Sequence, residues 1–258
     1  MLTKNEIKFI KSLDKKRERD EYQLFVAEGS KLVIDIIRSG GDVNQIYATK
    51  GWTNSNQKTV SDLKLEPIEI SDSEMDRITS LSSPSPILAI FKQQTNSIEE
   101  NFESNSILIL DDIRDPGNLG TIIRTADWFG IKQIICSPET ADCYNPKVIQ
   151  STMGSIMRVK IQYTELENFI KNHKDQFTYY GTFMNGVAIT EISYNKRSAF
   201  IIGNEAHGIS ESVEKIIDQK IAIPAAQIAD GIEGPESLNA AIATSIVLYD
   251  YFSKSKSL

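Results

Sequence analysis

The chain has 258 residues, of which 40% are hydrophobic and 24% are charged, and its formal net charge is −7 at pH 7. This length allows one large domain or two modest ones, and the composition is that of a globular protein with a substantial core. The acidic balance argues against indiscriminate nucleic-acid binding but leaves room for a local basic surface. No apolar run reaches the roughly 18 to 20 residues that span a bilayer, and the N-terminus lacks the apolar segment of a signal peptide. These features predict a cytoplasmic location.

The first 94 residues predict an α/β unit, because short apolar runs alternate with amphipathic segments. The helix predicted over residues 71–81 begins with a capping box, in which Ser71 and Glu74 exchange side-chain-to-backbone hydrogen bonds. The predicted helices cover residues 4–15, 25–40, 59–64 and 71–81. The predicted strands cover residues 43–50, 66–70 and the part of 83–92 that follows its two prolines.

The first predicted helix carries four lysines at spacings of three and four residues, which places them on one helical face. They are Lys4, Lys8, Lys11 and Lys15. Two interpretations are open: a solvated helix surface, or a stripe that contacts the phosphates of a nucleic acid.

A polar stretch over residues 95–105 is the predicted linker, and from residue 106 onward strands and helices alternate regularly. Buried β-branched runs between helices predict a parallel sheet. The predicted strands cover residues 107–110, 132–137, 157–163, 178–184, 199–203 and 220–224, and the predicted helices cover residues 121–130, 145–156, 165–173, 211–218 and 237–252.

Ligands on parallel sheets bind beyond the carboxyl ends of the strands, and this rule selects the loops at 111–120, 203–210 and 224–237. The first loop contains neither G-x-x-x-x-G-K-[ST] nor G-x-G-x-x-G, so it is no standard phosphate or dinucleotide loop. Its Asn118 can both donate and accept hydrogen bonds, and Arg124 carries a planar fork of donors that suits phosphate.

The other two loops carry one notable polar residue each. Glu205 stands between Gly203 and Gly208 directly after a predicted strand. Ser237 is the predicted N-cap of the last helix. Each loop alone is as compatible with a structural turn as with a binding site.

Neither cysteines nor acidic clusters predict a metal site. Cys136 and Cys143 lie seven residues apart, which fits neither a redox pair nor a zinc ligand set. Asp111, Asp112 and Asp115 follow one strand, but a turn in which the Asp115 carboxylate accepts local amide N–H groups explains them without a cation. The sequence predicts no metal.

Taken together and in this order, the three loops closely resemble the motifs of the SpoU (TrmH) family of RNA methyltransferases, within the SPOUT superfamily. The family motifs read N-x-G-x-x-x-R-T-A, then G-x-E-x-x-G, then I-P and S-L-N before an apolar helix. The matching positions are Asn118, Gly120, Arg124, Thr125, Ala126, Gly203, Glu205, Gly208, Ile223, Pro224, Ser237, Leu238 and Asn239.

The resemblance implies an α/β fold with a C-terminal trefoil-knotted parallel-sheet SPOUT domain and a smaller N-terminal ribosomal-protein-like α/β domain. It implies an RNA substrate-binding domain over residues 1–94, the linker over 95–105 and a knotted methyltransferase domain over 106–258. The implied activity is 2′-O-methylation of a ribose in tRNA or rRNA, with S-adenosyl-L-methionine as cofactor. The implied assembly is a homodimer through the C-terminal domain.

The resemblance also assigns residues to the site. The implied cofactor contacts are Gly203, Ile223 and Leu238, and the implied catalytic positions are Arg124, Asn118, Glu205, Ser237 and Asn239. A guanidinium is a poor base because its pKa lies above about 12. We therefore expect Arg124 to hold the neighbouring phosphate and to stabilise the developing alkoxide, within its own subunit or across a dimer interface.

Two alternatives accompany this interpretation. The stretch over 225–236 is longer than the turn of the family, which favours an RNA-binding or ribosome-assembly module that has kept the fold with little or no transfer. A nucleotide-dependent oxidoreductase on a doubly wound sheet is disfavoured, because the chain lacks a G-x-G-x-x-G turn.

Overall fold

The computed structural model describes residues 1–94, 102, 106–225 and 237–255. Its contacts divide the chain into two compact units. The first unit contains Met1–Thr95 and Asp142–Arg158, and the second contains Asn96–Ala141 and Val159–Leu258. Residues 142–158, which the sequence placed in a continuous C-terminal domain, therefore pack with the first unit. The functional domain boundaries at 94, 105 and 106 remain predictions.

The first half of the chain forms a mixed four-stranded sheet in the order β1-β4-β2-β3. Only the pair β2 and β3 is parallel. The strands are β1 (Leu24–Glu28), β2 (Val43–Thr49), β3 (Ile68–Ile70) and β4 (Ile87–Lys92), and the helices are α1 (Lys4–Ser12), α2 (Lys16–Tyr22), α3 (Ser30–Arg38), α4 (Lys50–Ser55), α5 (Gln57–Asp62) and α6 (Asp72–Ile78).

The second half forms a six-stranded sheet in the order β10-β8-β9-β5-β6-β7, and every neighbouring pair is parallel, as predicted. Its strands are β5 (Ile107–Leu110), β6 (Gln133–Cys136), β7 (Lys160–Tyr163), β8 (Thr178–Ala188), β9 (Ser198–Ile202) and β10 (Gln219–Ala222). The helices of this half are α7 (Pro116–Trp128), α8 (Pro146–Thr152), α9 (Leu166–Asn172), α10 (Glu211–Glu214) and α11 (Ala240–Ser255).

The prediction of one helix over 25–40 is wrong in its first part. Residues Leu24–Glu28 form the fully buried strand β1, and helix α3 begins only at Ser30, after Gly29 in a left-handed conformation with φ +108°. A short apolar run is compatible with a buried strand as well as with a helix, and periodicity does not separate the two. Pairing with β4 on a sheet buried on both faces selects the strand.

Helix α7 begins earlier than predicted and packs against α11, the last helix. Asp115 is its N-cap, with Oδ1 accepting from the amide of Asn118 at 2.8 Å, and Pro116 occupies its first turn. This confirms the expected local role of the Asp115 carboxylate. Phe129, the C-cap of α7, meets Phe252 of α11 with ring centroids 5.7 Å apart.

The predicted capping box of α6 is present and also holds the N-terminus of the chain. Glu74 accepts from the amide of Ser71 at 3.0 Å through Oε2 and from the amide of Leu2 at 2.6 Å through Oε1. These two backbone donors lower the pKa of Glu74 from 4.5 to about 2. The resulting stabilisation is present above the ordinary pKa and is lost as the pH falls toward 2.

Glu74→Gln should therefore lower the free energy of unfolding at pH 7, because the charged acceptor of both amides is lost. The difference from wild type should close as the pH falls from about 4.5 to about 2, where the native carboxylate also becomes protonated. Urea unfolding followed by circular dichroism at several pH values measures this. Asp76→Asn, which removes an exposed carboxylate from the same helix, is the control. If the free energy of unfolding of Glu74→Gln differed from that of the wild type by the same amount at every pH, the lowered pKa of Glu74 would be contradicted.

Candidate functional site

Two of the three motif loops leave neighbouring strands at the same edge of the sheet. Strand β5 ends at Leu110 and strand β9 ends at Ile202, and the two strands are paired in parallel. Their carboxyl ends therefore project the loops 111–120 and 203–210 to one side, as predicted. Residues 226–236 of the third loop lie outside the described residues.

One carboxylate oxygen joins all three motifs. Glu205 Oε1 accepts from Asn118 Nδ2 at 2.8 Å, from Asn239 Nδ2 at 2.9 Å and from the amide of Ala240 at 3.0 Å. Asn239 Nδ2 also donates to Asn118 Oδ1 at 2.9 Å. Three of the predicted catalytic positions are thus one hydrogen-bonded cluster, which we call the Glu205 cluster. Their side chains hold one another in place.

The Glu205 cluster sits at the start of α11, and Asn239 rather than Ser237 is the N-cap. Asn239 Oδ1 accepts from the amides of Ala241 at 3.0 Å and Ile242 at 3.2 Å. The prediction of Ser237 as N-cap is wrong, since α11 begins only at Ala240. A carboxylate at this position is also favoured by the positive end of the helix dipole.

The second loop is shaped by backbone contacts of its own. A Cβ at Gly203 would lie 2.3 Å from the carbonyl carbon of Gly208, so no side chain fits there. Gly208 itself has φ +71°, a left-handed conformation that favours glycine. Asn204 pairs with Gly208 through two backbone hydrogen bonds, and its Oδ1 accepts from the amide of Ala206 at 2.8 Å. These contacts place Glu205 at the tip of a tight turn.

Two aspartates that the sequence treated only as turn residues tie the first loop to the second. Asp111 Oδ2 accepts from the amide and the hydroxyl of Ser210 at 2.8 and 2.7 Å. The carbonyl of Asp112 accepts from Asn204 Nδ2 at 2.8 Å. Their position directly after a buried strand was the available signal. Among the described residues, no three His, Cys, Asp or Glu side chains group to hold a metal ion.

The remaining predicted residues stand outside the Glu205 cluster. Arg124 lies in the middle of α7, its side chain is exposed, and it has no ion-pair or hydrogen-bond partner within the described parts of the chain. Ser237 and Leu238 are exposed just before α11, and Ile223 is half-buried after β10. The described residues bring together Asn118, Glu205 and Asn239 but not the complete predicted set.

Glu205→Ala should remove three hydrogen bonds at once. Because the cluster is solvent-exposed, we expect the free energy of unfolding to fall by only about 1 kcal/mol. Amide hydrogen exchange at the first turn of α11 should nevertheless accelerate, since the amide of Ala240 loses its acceptor. His207→Ala in the same loop is the matched control. Unchanged exchange at Ala240 would show that the cluster does not order the helix start.

Comparison with known proteins identifies the family of the chain. The model of the SpoU rRNA Methylase family matches residues 105–249, more than half of the chain, and the model of an MRM3-like substrate binding domain matches residues 4–89. The chain is 30% identical over 247 residues to the 23S rRNA (guanosine(2553)-2′-O)-methyltransferase RlmP of Bacillus subtilis, and 94% of each protein is covered.

Solved structures give the same result. An AdoMet-bound rRNA methyltransferase from Sinorhizobium meliloti superposes with a TM-score of 0.81 at 31% identity, covering 97% of this chain and 95% of that one. The SpoU methyltransferase AviRb from Streptomyces viridochromogenes, in complex with AdoMet, has a TM-score of 0.84 at 21% identity over 99% of both chains, which supports the fold. The chain therefore belongs to the SpoU (TrmH) family of RNA methyltransferases, whose cofactor is S-adenosyl-L-methionine.

Proposed function

We propose that this protein methylates the 2′-hydroxyl of a ribose in tRNA or rRNA. The observation that carries the proposal is the Glu205 cluster, because it joins all three family motifs at the carboxyl edge of a parallel sheet. The RlmP relative is named as acting on a guanosine of 23S rRNA, so 23S rRNA is the first substrate to test.

The cofactor contacts proposed from the motifs are Gly203, Ile223 and Leu238. Leu238 is 44% exposed and Ile223 is half-buried, so an accessible apolar side chain stands at each end of the third loop. Apolar contacts together with backbone groups suit a purine ring, which supports binding of S-adenosylmethionine here. When bound, the cofactor supplies a methyl group on a positively charged sulfur.

The remaining proposed roles, which are positioning the loops and binding the substrate, belong to the chain's own residues. Asn118, Glu205 and Asn239 satisfy one another's hydrogen-bonding groups, so their proposed role is to hold the loops in register for the reacting groups. Arg124 has an exposed guanidinium, and its proposed role is to bind the phosphate beside the acceptor ribose and to stabilise the developing alkoxide. Ser237, exposed next to Leu238, is proposed to contact the cofactor's amino-acid end.

RNA binding by the N-terminal domain is proposed from the basic face of α1 and the residues that follow it. Lys8, Lys11 and Lys15 are exposed and make no ion pair with any described residue, whereas Lys16 pairs with Asp20 at 2.7 Å. The predicted helix over 4–15 ends at Ser12, so Lys15 lies outside α1, as the N-cap of α2. Exposed lysines that form no ion pair favour the phosphate-contacting interpretation over a solvated surface with many ion pairs. The match to a substrate binding domain over residues 4–89 supports the same assignment.

The trefoil knot, the homodimer and the cytoplasmic location are also part of the proposal. Within the described parts of the chain, no helix has the length and apolar character needed to cross a bilayer. Apolar side chains are exposed on the paired helices α7 and α11: Trp128 is 83% exposed, Tyr249 64% and Ile242 52%. Large exposed apolar side chains on adjoining helices are typical of a protein interface, and here we propose a second copy as the partner.

Trp128→Glu should convert the proposed dimer to a monomer, because it replaces a large exposed apolar side chain of the proposed interface with a charge. Sedimentation at about 10 µM protein measures the mass directly. Met184→Glu is the control, since Met184 is 71% exposed on β8, outside α7 and α11. A wild-type protein that sediments as a monomer would refute the homodimer.

Arg124→Ala should leave folding and binding of S-adenosylmethionine intact but lower methyl transfer by about 100- to 1,000-fold, the range for loss of one charge-stabilising donor. The assay uses radiolabelled cofactor and 23S rRNA or tRNA from a strain that lacks the gene. Arg124→Lys, which keeps the charge but not the planar fork, should restore only part of the rate.

Near-normal methyl transfer by Arg124→Ala would show that Arg124 has no role in the reaction. A wild-type protein that binds these RNAs but transfers no methyl group would favour the alternative of an RNA-binding or ribosome-assembly module.

A further inference from the structure

A second arginine stands in the first loop, outside the positions assigned above. Arg114 immediately precedes Asp115, the N-cap of α7, and its side chain is 69% exposed. Its Nε donates to Asp112 Oδ1 at 2.6 Å. This exposed arginine is thus held by a partner only two residues away in the chain.

Asp112 is itself held with unusual firmness. Its φ of +59° lies in the left-handed region, which residues with a Cβ rarely adopt. Its amide donates to Ser137 Oγ at 2.9 Å, and its carbonyl accepts from Asn204 Nδ2 at 2.8 Å. Contacts from two other segments therefore hold Asp112 in this conformation.

The pairing through Nε leaves the outer end of the guanidinium open. Nη1 and Nη2 carry four N–H donors, and neither atom makes a hydrogen bond to a described residue. An arginine anchored in this way presents a planar pair of donors in one orientation, so little side-chain entropy is lost when a ligand binds.

The ligand that this fork fits is a phosphate. Two parallel N–H donors match two oxygens of a phosphate or carboxylate, and the anionic groups of an RNA are its phosphates. Asn118 of the Glu205 cluster is four residues further along the chain, in the first turn of α7, and its amide donates to Asp115. A phosphate on Arg114 would thus be held by the loop that also carries the candidate site.

We propose that Arg114 binds a backbone phosphate of the RNA substrate, with Asp112 as its positioning residue, and thereby sets the register of the RNA strand at the site. The inference rests on the proposed RNA substrate and deepens it. Phosphate contacts of this kind orient a nucleic acid without reading its bases.

The test is the salt dependence of RNA binding by the full chain. Filter binding of 23S rRNA from a strain that lacks the gene gives the Kd at several salt concentrations. Arg114→Ala should raise the Kd about tenfold and make the slope of log K against log salt shallower by about 0.7, the value for one lost phosphate contact on a single strand. Calorimetry should show unchanged binding of S-adenosylmethionine, which reports that the site remains folded.

Two further variants sharpen the result. Arg114→Lys keeps the positive charge, but a single ammonium group cannot both pair with Asp112 and offer two parallel donors to a phosphate. The slope of log K against log salt should therefore stay near that of the wild type, while the Kd rises. Arg197→Ala removes an exposed arginine just before β9, at the opposite edge of the same sheet, and should change neither quantity.

The outcomes separate this inference from the proposed function. If the wild-type protein methylates the RNA and Arg114→Ala has the wild-type Kd and slope, the phosphate role of Arg114 is refuted and the methyltransferase proposal stands. If the wild-type protein neither binds nor methylates the RNA, both are refuted for that substrate.

Discussion

The candidate site depends on one oxygen atom, Oε1 of Glu205, which accepts hydrogen bonds from Asn118, Asn239 and the amide of Ala240. Asn118 lies 87 positions away in the chain and Asn239 lies 34 positions away, so the bonds join distant segments. Because the cluster is exposed, its contribution to global stability is small. Its main consequence is geometric, since two loops and the start of α11 are fixed relative to one another.

The first loop and helix α7 divide their polar residues between two roles. Asp115 and Asn118 face other residues of the protein, where they cap α7 and join the Glu205 cluster. Arg114 and Arg124 instead expose their guanidinium groups. In the proposed function, an anionic strand meets donors carried by a loop and a helix that are already held in place, which lowers the entropy lost on binding.

Much of the fold followed from patterns of residues. The parallel sheet was predicted correctly because strands β5, β6 and β9 are short, largely apolar and buried runs that alternate with helices, a pattern typical of a covered parallel sheet. Strand β1 was mistaken for the start of a helix, because its five buried residues carry no period and only pairing with β4 identifies them. The N-cap was placed at Ser237, since serine is a common cap, but Asn239 is the residue that reaches the free amides.

Sequence alone was enough for the strand–helix order of the second half, because periodicity is a local property of the chain, and the motif residues were selected by their resemblance to the family. The partners of those residues were decided by tertiary structure. A hydrogen bond requires donor and acceptor to approach within about 3.5 Å, and that approach depends on how strands from distant parts of the chain align in the sheet. The close passage of Gly203 along the backbone of Gly208 and the left-handed turn at Asp112 arise from the same alignment. For this reason Asn118, Glu205 and Asn239 were predicted as members of one site, but their convergence on a single oxygen was not.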